Sequence, residues 1–219
     1  MKNPIKHRFA KILAVGAALL LGIQSACAQV KVACVGDSIT AGYALQNPGV
    51  ESYPAQLQSL LGNGYSVGNF GLSGATVQKR SDFSYWNTAP YRASLQFKPN
   101  IVVIMLGTND SKPWNWNAAK FNADYRALIA KYQGLTTNPK VYICLIPPVY
   151  TPNPFGNTFD PVFIQNTVLP AIQVVAANAG VTLIDNNTPL VSHPELFSDG
   201  VHPTPQGAGV IASTVAATP

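Results

Sequence analysis

Ile101-Val-Val-Ile-Met-Leu106 runs without a polar residue into Gly107-Thr-Asn-Asp110. A short, unbroken apolar run of this kind reads as a central parallel strand covered on both faces. The polar motif then falls at the strand's C-terminal end, where open parallel sheets bind their ligands.

Working outward, Val30-Lys-Val-Ala-Cys-Val35, a weaker run at residues 65–70, Val141-Tyr-Ile-Cys-Leu-Ile146 and Val181-Thr-Leu-Ile184 read as further strands. Helical patterns separate them. Phe121, Tyr125, Leu128, Ile129 and Tyr132 mark one apolar face at helical spacing within residues 117–132. Asp160-Pro161 reads as an N-cap followed by proline at the first helical position, with Gly180 as terminator. Pro170 lies inside that helix and is expected to kink it. Thr204-Pro205 repeats the start signal for a last helix. Strand–helix alternation makes this an α/β chain with a parallel sheet of about five strands. No internal repeat or interdomain linker interrupts it. The proline-rich stretch at residues 147–161 reads as a long strand-to-helix loop, either functional or a rigid connection.

Two more polar motifs fall at strand ends or near the C-terminus. Gly36-Asp-Ser38 closes the first strand, and Asp199-Gly-Val-His-Pro203 precedes the last helix. A serine hydroxyl is a poor nucleophile until a base takes its proton. His202 is the natural base, and Asp199, three residues earlier in a glycine-punctuated turn, can orient it. His193 has no comparable acidic partner and reads as structural, while Asp185 is a second candidate for the acidic role. A tetrahedral intermediate also needs donors for its oxyanion. The candidates are the Asn109 side-chain amide and the backbone N–H groups of Gly74 and Ser38. The same residues also have plainer readings: Ser38 as a helix cap, Gly74 as a turn glycine.

Residues 1–28 read as a secretory signal. Lys2, Lys6, Arg8 and Lys11 form a basic start, the apolar core at residues 12–23 is short for a membrane span, and Ala26-Cys-Ala28 fits a small-residue cleavage site. The expectation is one domain at residues 29–219, exported to the periplasm or beyond. Lipidation at Cys27 is disfavoured by Gln24 three residues before it. Without the leader, ten basic residues face nine acidic ones, a net charge of +1. No Lys/Arg-rich stripe remains to recruit nucleic acid or an anionic membrane surface. Cys34 and Cys144 sit in strands and read as buried free thiols. No CxxC, HExxH or histidine cluster implies a metal, and no cofactor is implied.

The ordered blocks resemble the SGNH, or GDSL-type, hydrolase family over nearly the whole chain after the leader. Ser38, Gly74, Asn109 and His202 match the four residues that name that family, and Asp199 matches its triad acid. The resemblance implies a flavodoxin-like three-layer α/β/α fold and metal-free ester hydrolysis through an acyl-serine intermediate. Gly107-Thr-Asn-Asp-Ser-Lys-Pro-Trp-Asn-Trp116 and His193-Pro-Glu-Leu-Phe-Ser-Asp-Gly-Val-His202 look like the sialate O-acetylesterase-like branch, taken here as a carbohydrate deacetylase of unspecified sugar. Trp114 and Trp116, with Tyr150 and Phe155 in the next strand-end loop, offer flat faces for a pyranose ring, or else pack the loops onto the domain. The expected substrate is therefore an acetylated glycan or small acylated carbohydrate. No amphipathic lid-like helix supports a lipid substrate. Lysophospholipase or thioesterase activity on the same residues is the alternative, with a non-catalytic glycan-binding module as a third reading.

Overall fold

A computed structural model describes residues 28–218. The leader assigned to residues 1–28, with its basic start, apolar core and Cys27, lies outside the described residues apart from Ala28. In chain order the elements are β1 (Val30–Gly36), α1 (Ser38–Ala41), α2 (Pro48–Glu51), α3 (Tyr53–Leu61), β2 (Tyr65–Gly71), α4 (Ala89–Gln96) and β3 (Ile101–Met105). There follow α5 (Ala118–Gln133), β4 (Lys140–Leu145), α6 (Pro161–Phe163), α7 (Leu169–Ala179), β5 (Thr182–Asp185) and α8 (Pro205–Ala216).

The five strands form one parallel sheet in the order β2-β1-β3-β4-β5. β3 is central, with Val102, Val103, Ile104 and Met105 all buried, as its continuous apolar run requires. Helices α3 and α8 pack together on one face, and α4, α5 and α7 cover the other. This is the three-layer flavodoxin-like α/β/α architecture. The chain steps from β1 outward to β2, then returns to place β3 on the other side of β1. That reversal opens a crevice above the C-terminal ends of β1 and β3.

Local signals set the helices. Asn117 caps α5 by accepting from the Lys120 N–H at 3.0 Å, and the five apolar residues at helical spacing are the five that α5 buries. Asp160 caps α6 through the N–H groups of Val162 and Phe163, and Gly180 ends α7 with φ +63°. Pro170 produces a local widening. Residues 164–168 form a π turn in which the Leu169 N–H reaches the Ile164 carbonyl, and α7 begins afresh with Pro170 in its first turn. A proline ring would collide with the carbonyl four residues earlier in a regular α-helix, and a wider turn relieves that clash. Residues 156–179 are long and apolar enough to cross a membrane by length and composition. Here α7 buries Leu169, Ile172, Val175 and Ala176, packing against β4, β5 and α5. Cys34 and Cys144 are free and buried in β1 and β4.

Candidate active site

The turn after β1 leaves no room for a side chain at its start. A Cβ on Gly36 would lie 2.0 Å from Thr40 Oγ1 and 2.7 Å from the Met105 carbonyl oxygen, so only glycine fits. Asp37 then caps α1, its Oδ1 accepting from the Ile39 N–H at 3.0 Å. This sets Ser38 in the first turn of a short helix above the crevice.

His202 reaches Ser38 from the loop before α8. Its Nε2 lies 2.9 Å from Ser38 Oγ, and its Nδ1 lies 2.7 Å from Asp199 Oδ2. The carboxylate pairing assigns the imidazole proton to Nδ1, which leaves Nε2 free to accept from the serine. Asp199 is itself fixed, because its Oδ1 accepts from the N–H groups of Val201 at 3.0 Å and His202 at 2.7 Å. Partial burial alone would raise the Asp199 carboxyl, but those hydrogen bonds and the His202 ring more than offset it and hold it below the usual carboxylate range. The imidazole is buried at 5% exposure, with the Tyr43 ring 4.6 Å away and the Phe155 ring 5.8 Å away. Both rings line the same cavity as the imidazole.

The donors lie opposite. Asn109 follows β3 in a tight turn; its Nδ2 donates to the Ala75 carbonyl at 3.2 Å, and its own carbonyl accepts from Asn115 Nδ2 at 3.0 Å. An amide nitrogen carries two hydrogens, so one stays free for a ligand. Gly74 has φ +83°, a conformation open to glycine and strained for other residues. Among the described residues, neither the Gly74 nor the Ser38 N–H is spent on a backbone hydrogen bond. Asp110 ties these two segments together. It is fully buried and accepts from the Val77 N–H at 3.0 Å and the Gln78 N–H at 3.1 Å, which locks the loop after Gly74 against the turn that holds Asn109. Sequence reasoning passed over Asp110, although it stands next to Asn109 in the quoted motif.

Ser38, Gly74, Asn109 and His202 open onto one cavity of about 380 Å³, with Trp114 and Phe155 in its wall. Two of the four aromatic residues expected there are elsewhere. Trp116 packs on Phe121 and Phe163 at ring distances of 5.0 and 5.5 Å, and so fastens the loop to α5 and α6. Tyr150 packs on Phe197 at 5.1 Å, donates its hydroxyl to the Leu190 carbonyl, and gives its N–H to the Gly200 carbonyl at 2.7 Å. It braces the turn that carries Asp199 and His202. Asp185 caps its own turn, accepting from Asn187 and Thr188. His193 does have an acidic partner: Glu195 lies 2.9 Å from its Nδ1 on the exposed surface. The cavity wall also includes Tyr43 and Phe159, which carried no local signal of their own.

A parallel sheet with a serine–histidine–aspartate chain at its switch point defines the flavodoxin-like class of acyl hydrolases. Within that class the chain belongs to the GDSL-like Lipase/Acylhydrolase family, which it matches over residues 34–210. An acetylxylan esterase of Xylanibacter ruminicola is 36% identical over 207 residues, covering 86% of this chain and 42% of the relative. The chain thus spans about two fifths of that relative's length. Two solved structures share the fold. The carbohydrate acetylesterase Est24 of Sinorhizobium meliloti has a TM-score of 0.69 and 22% identity over 86% of this chain and 97% of its own. The native aryl esterase of M. smegmatis has a TM-score of 0.65 and 20% identity over the same shares.

Proposed function

We propose that this protein is an exported serine esterase that removes short acyl groups, acetyl first among them, from carbohydrates. The observation that carries the reading is the unbroken chain from Asp199 through His202 to Ser38 Oγ, which ends in a cavity faced by amide donors. Kinship with an acetylxylan esterase supports the acetyl group and the carbohydrate. Export rests on the leader at residues 1–28.

The chemistry follows from the geometry. Ser38 Oγ attacks the ester carbonyl carbon as His202 Nε2 takes its proton, and the imidazolium that forms is stabilised by Asp199. Negative charge on the carbonyl oxygen is met by the Asn109 amide and the N–H groups of Gly74 and Ser38. Collapse breaks the bond to the sugar oxygen, which leaves with the proton from His202, and the acetyl group stays on Ser38. Water, deprotonated by His202, then repeats the attack. This releases acetate and restores the serine hydroxyl.

The test is acetate release from acetylated xylan and from an O-acetylated sialoside, comparing the protein with its Ser38→Ala variant. Release that disappears in the variant supports the reading. Failure on both substrates, with faster turnover of octanoyl esters or thioesters, would move the assignment to lipid or thioester hydrolysis.

A further inference from the structure

Three aromatic side chains of the described chain are strongly exposed, and all three border the cavity. Tyr43 and Trp114 line it, and Phe83 Cδ1 lies within 3.4 Å of where a Gly74 side chain would begin. Trp114 is 64% exposed, and an indole that open to water would ordinarily sample several rotamers. Here its Nε1–H donates to Asp82 Oδ2 at 3.0 Å. The same carboxylate accepts from Lys112 Nζ at 3.2 Å and from Asn115 Nδ2 at 2.7 Å, while the Asp82 N–H donates to Asn115 Oδ1 at 3.0 Å. The loop holding Asp82 is pinned in turn, with Thr76 and residues 83–85 exchanging two backbone hydrogen bonds of 2.9 Å. Asn115 also reaches the Asn109 carbonyl, so the rim and the oxyanion donor share one network.

We propose that Asp82 is a positioning residue that holds Trp114 as a preformed platform for a neutral sugar ring next to the acylated position. The proposal rests on the carbohydrate-ester reading above. The C–H face of a pyranose is apolar and carries partial positive charge, which suits the negative face of an indole. An orientation fixed before binding spares the ordering cost of the side chain. Neutrality follows from Lys112. Among the described residues it is the one lysine or arginine lining the cavity, and Asp82 already compensates its charge, so a sugar carboxylate finds no free counter-ion among them.

The experiment compares the protein with Trp114→Ala, Asp82→Ala, Asp82→Asn and the double alanine variant. The readout is the ratio of kcat/KM for a partially acetylated xylo-oligosaccharide to that for vinyl acetate, an acyl donor with no ring to stack. Trp114→Ala should lower the ratio about tenfold, mainly through KM. Asp82→Ala should lower it by roughly half that factor, and Asp82→Asn, which keeps an acceptor for the indole, should recover part of the loss. The double variant should match Trp114→Ala alone, because Asp82 acts through that ring. A ratio indifferent to Trp114→Ala, or multiplicative losses in the double variant, overturns the platform and leaves the esterase reading intact. Ser38-dependent hydrolysis of vinyl acetate with no release from the oligosaccharide overturns both.

Discussion

His202 Nε2 stands 2.9 Å from Ser38 Oγ although 164 positions separate the two residues. The pairing comes from helix packing as much as from the sheet. Ser38 opens α1, which leads through α2 into α3, His202 lies just ahead of α8, and α3 and α8 pack against each other. Gln56 fastens the join, donating to the carbonyls of Glu51 at 2.7 Å and Pro205 at 2.8 Å.

Asp199→Asn should keep the fold and lower kcat by roughly 10³–10⁴-fold. Asn can donate to Nδ1, so the wrong ring nitrogen would hold the proton. Stopped assays with vinyl acetate would measure the loss, and a fall of less than tenfold would remove Asp199 from the proton relay.

Asn109→Ala should lower kcat by roughly 10²–10³-fold with KM little changed, because its free amide hydrogen serves charge that appears only in the transition state. An equal rise in KM with kcat preserved would make it a ground-state binding group.

Gly74→Ala should cost roughly 1–2 kcal/mol, since φ +83° is strained for a residue with a Cβ. In a domain of this size that amounts to a Tm lowered by about 2–8 °C. A thermal melt with no shift would show that the loop relaxes freely.

Asp37 gives stability a pH dependence. Burial pushes its carboxyl from the ordinary 3.8 up to about 7, with the Ile39 N–H opposing only part of the rise and the charge of Asp110 adding to it. Between those values the folded protein holds a proton that the unfolded chain has released. The stability this lends is present at acid pH and lost as pH rises toward 7. Asp37→Asn keeps a capping oxygen and should flatten that part of the Tm–pH curve. An unaltered slope would assign the dependence to other groups.

Cys34 should resist modification. Burial pushes its thiol up to about 12, with Tyr53 opposing slightly, and burial drives Cys144 in the same direction. Peptide mapping after maleimide treatment should find both cysteines unlabelled in native protein and labelled in denaturant. Labelling of either under native conditions would reveal opening of the sheet.

Much of this was legible locally. The apolar run at residues 101–106 marked β3, and the spacing of Phe121 through Tyr132 marked the buried face of α5. Caps at Asp160 and Thr204 marked helix starts. Pro170 announced a disturbance in its helix, and the structure gives that disturbance the form of a π turn rather than a kink alone. His193 shows the opposite failure: its partner Glu195 lay two residues away in the sequence and was overlooked.

Strand runs and helix caps could be read from the sequence because each depends on forces acting over a few residues. The Ser38, Gly74, Asn109, Asp199 and His202 blocks could be read because their order resembles that of a known family. Tertiary structure decided what those blocks face. Trp114 and Trp116 differ by two positions, yet one lies at the cavity mouth held by Asp82 and the other is packed on Phe121 and Phe163. Asp82 stands 32 residues from Trp114, and Asp110 stands 33 from Val77. Such partners are chosen by which loops the sheet brings together, and that choice leaves no periodic trace in the chain.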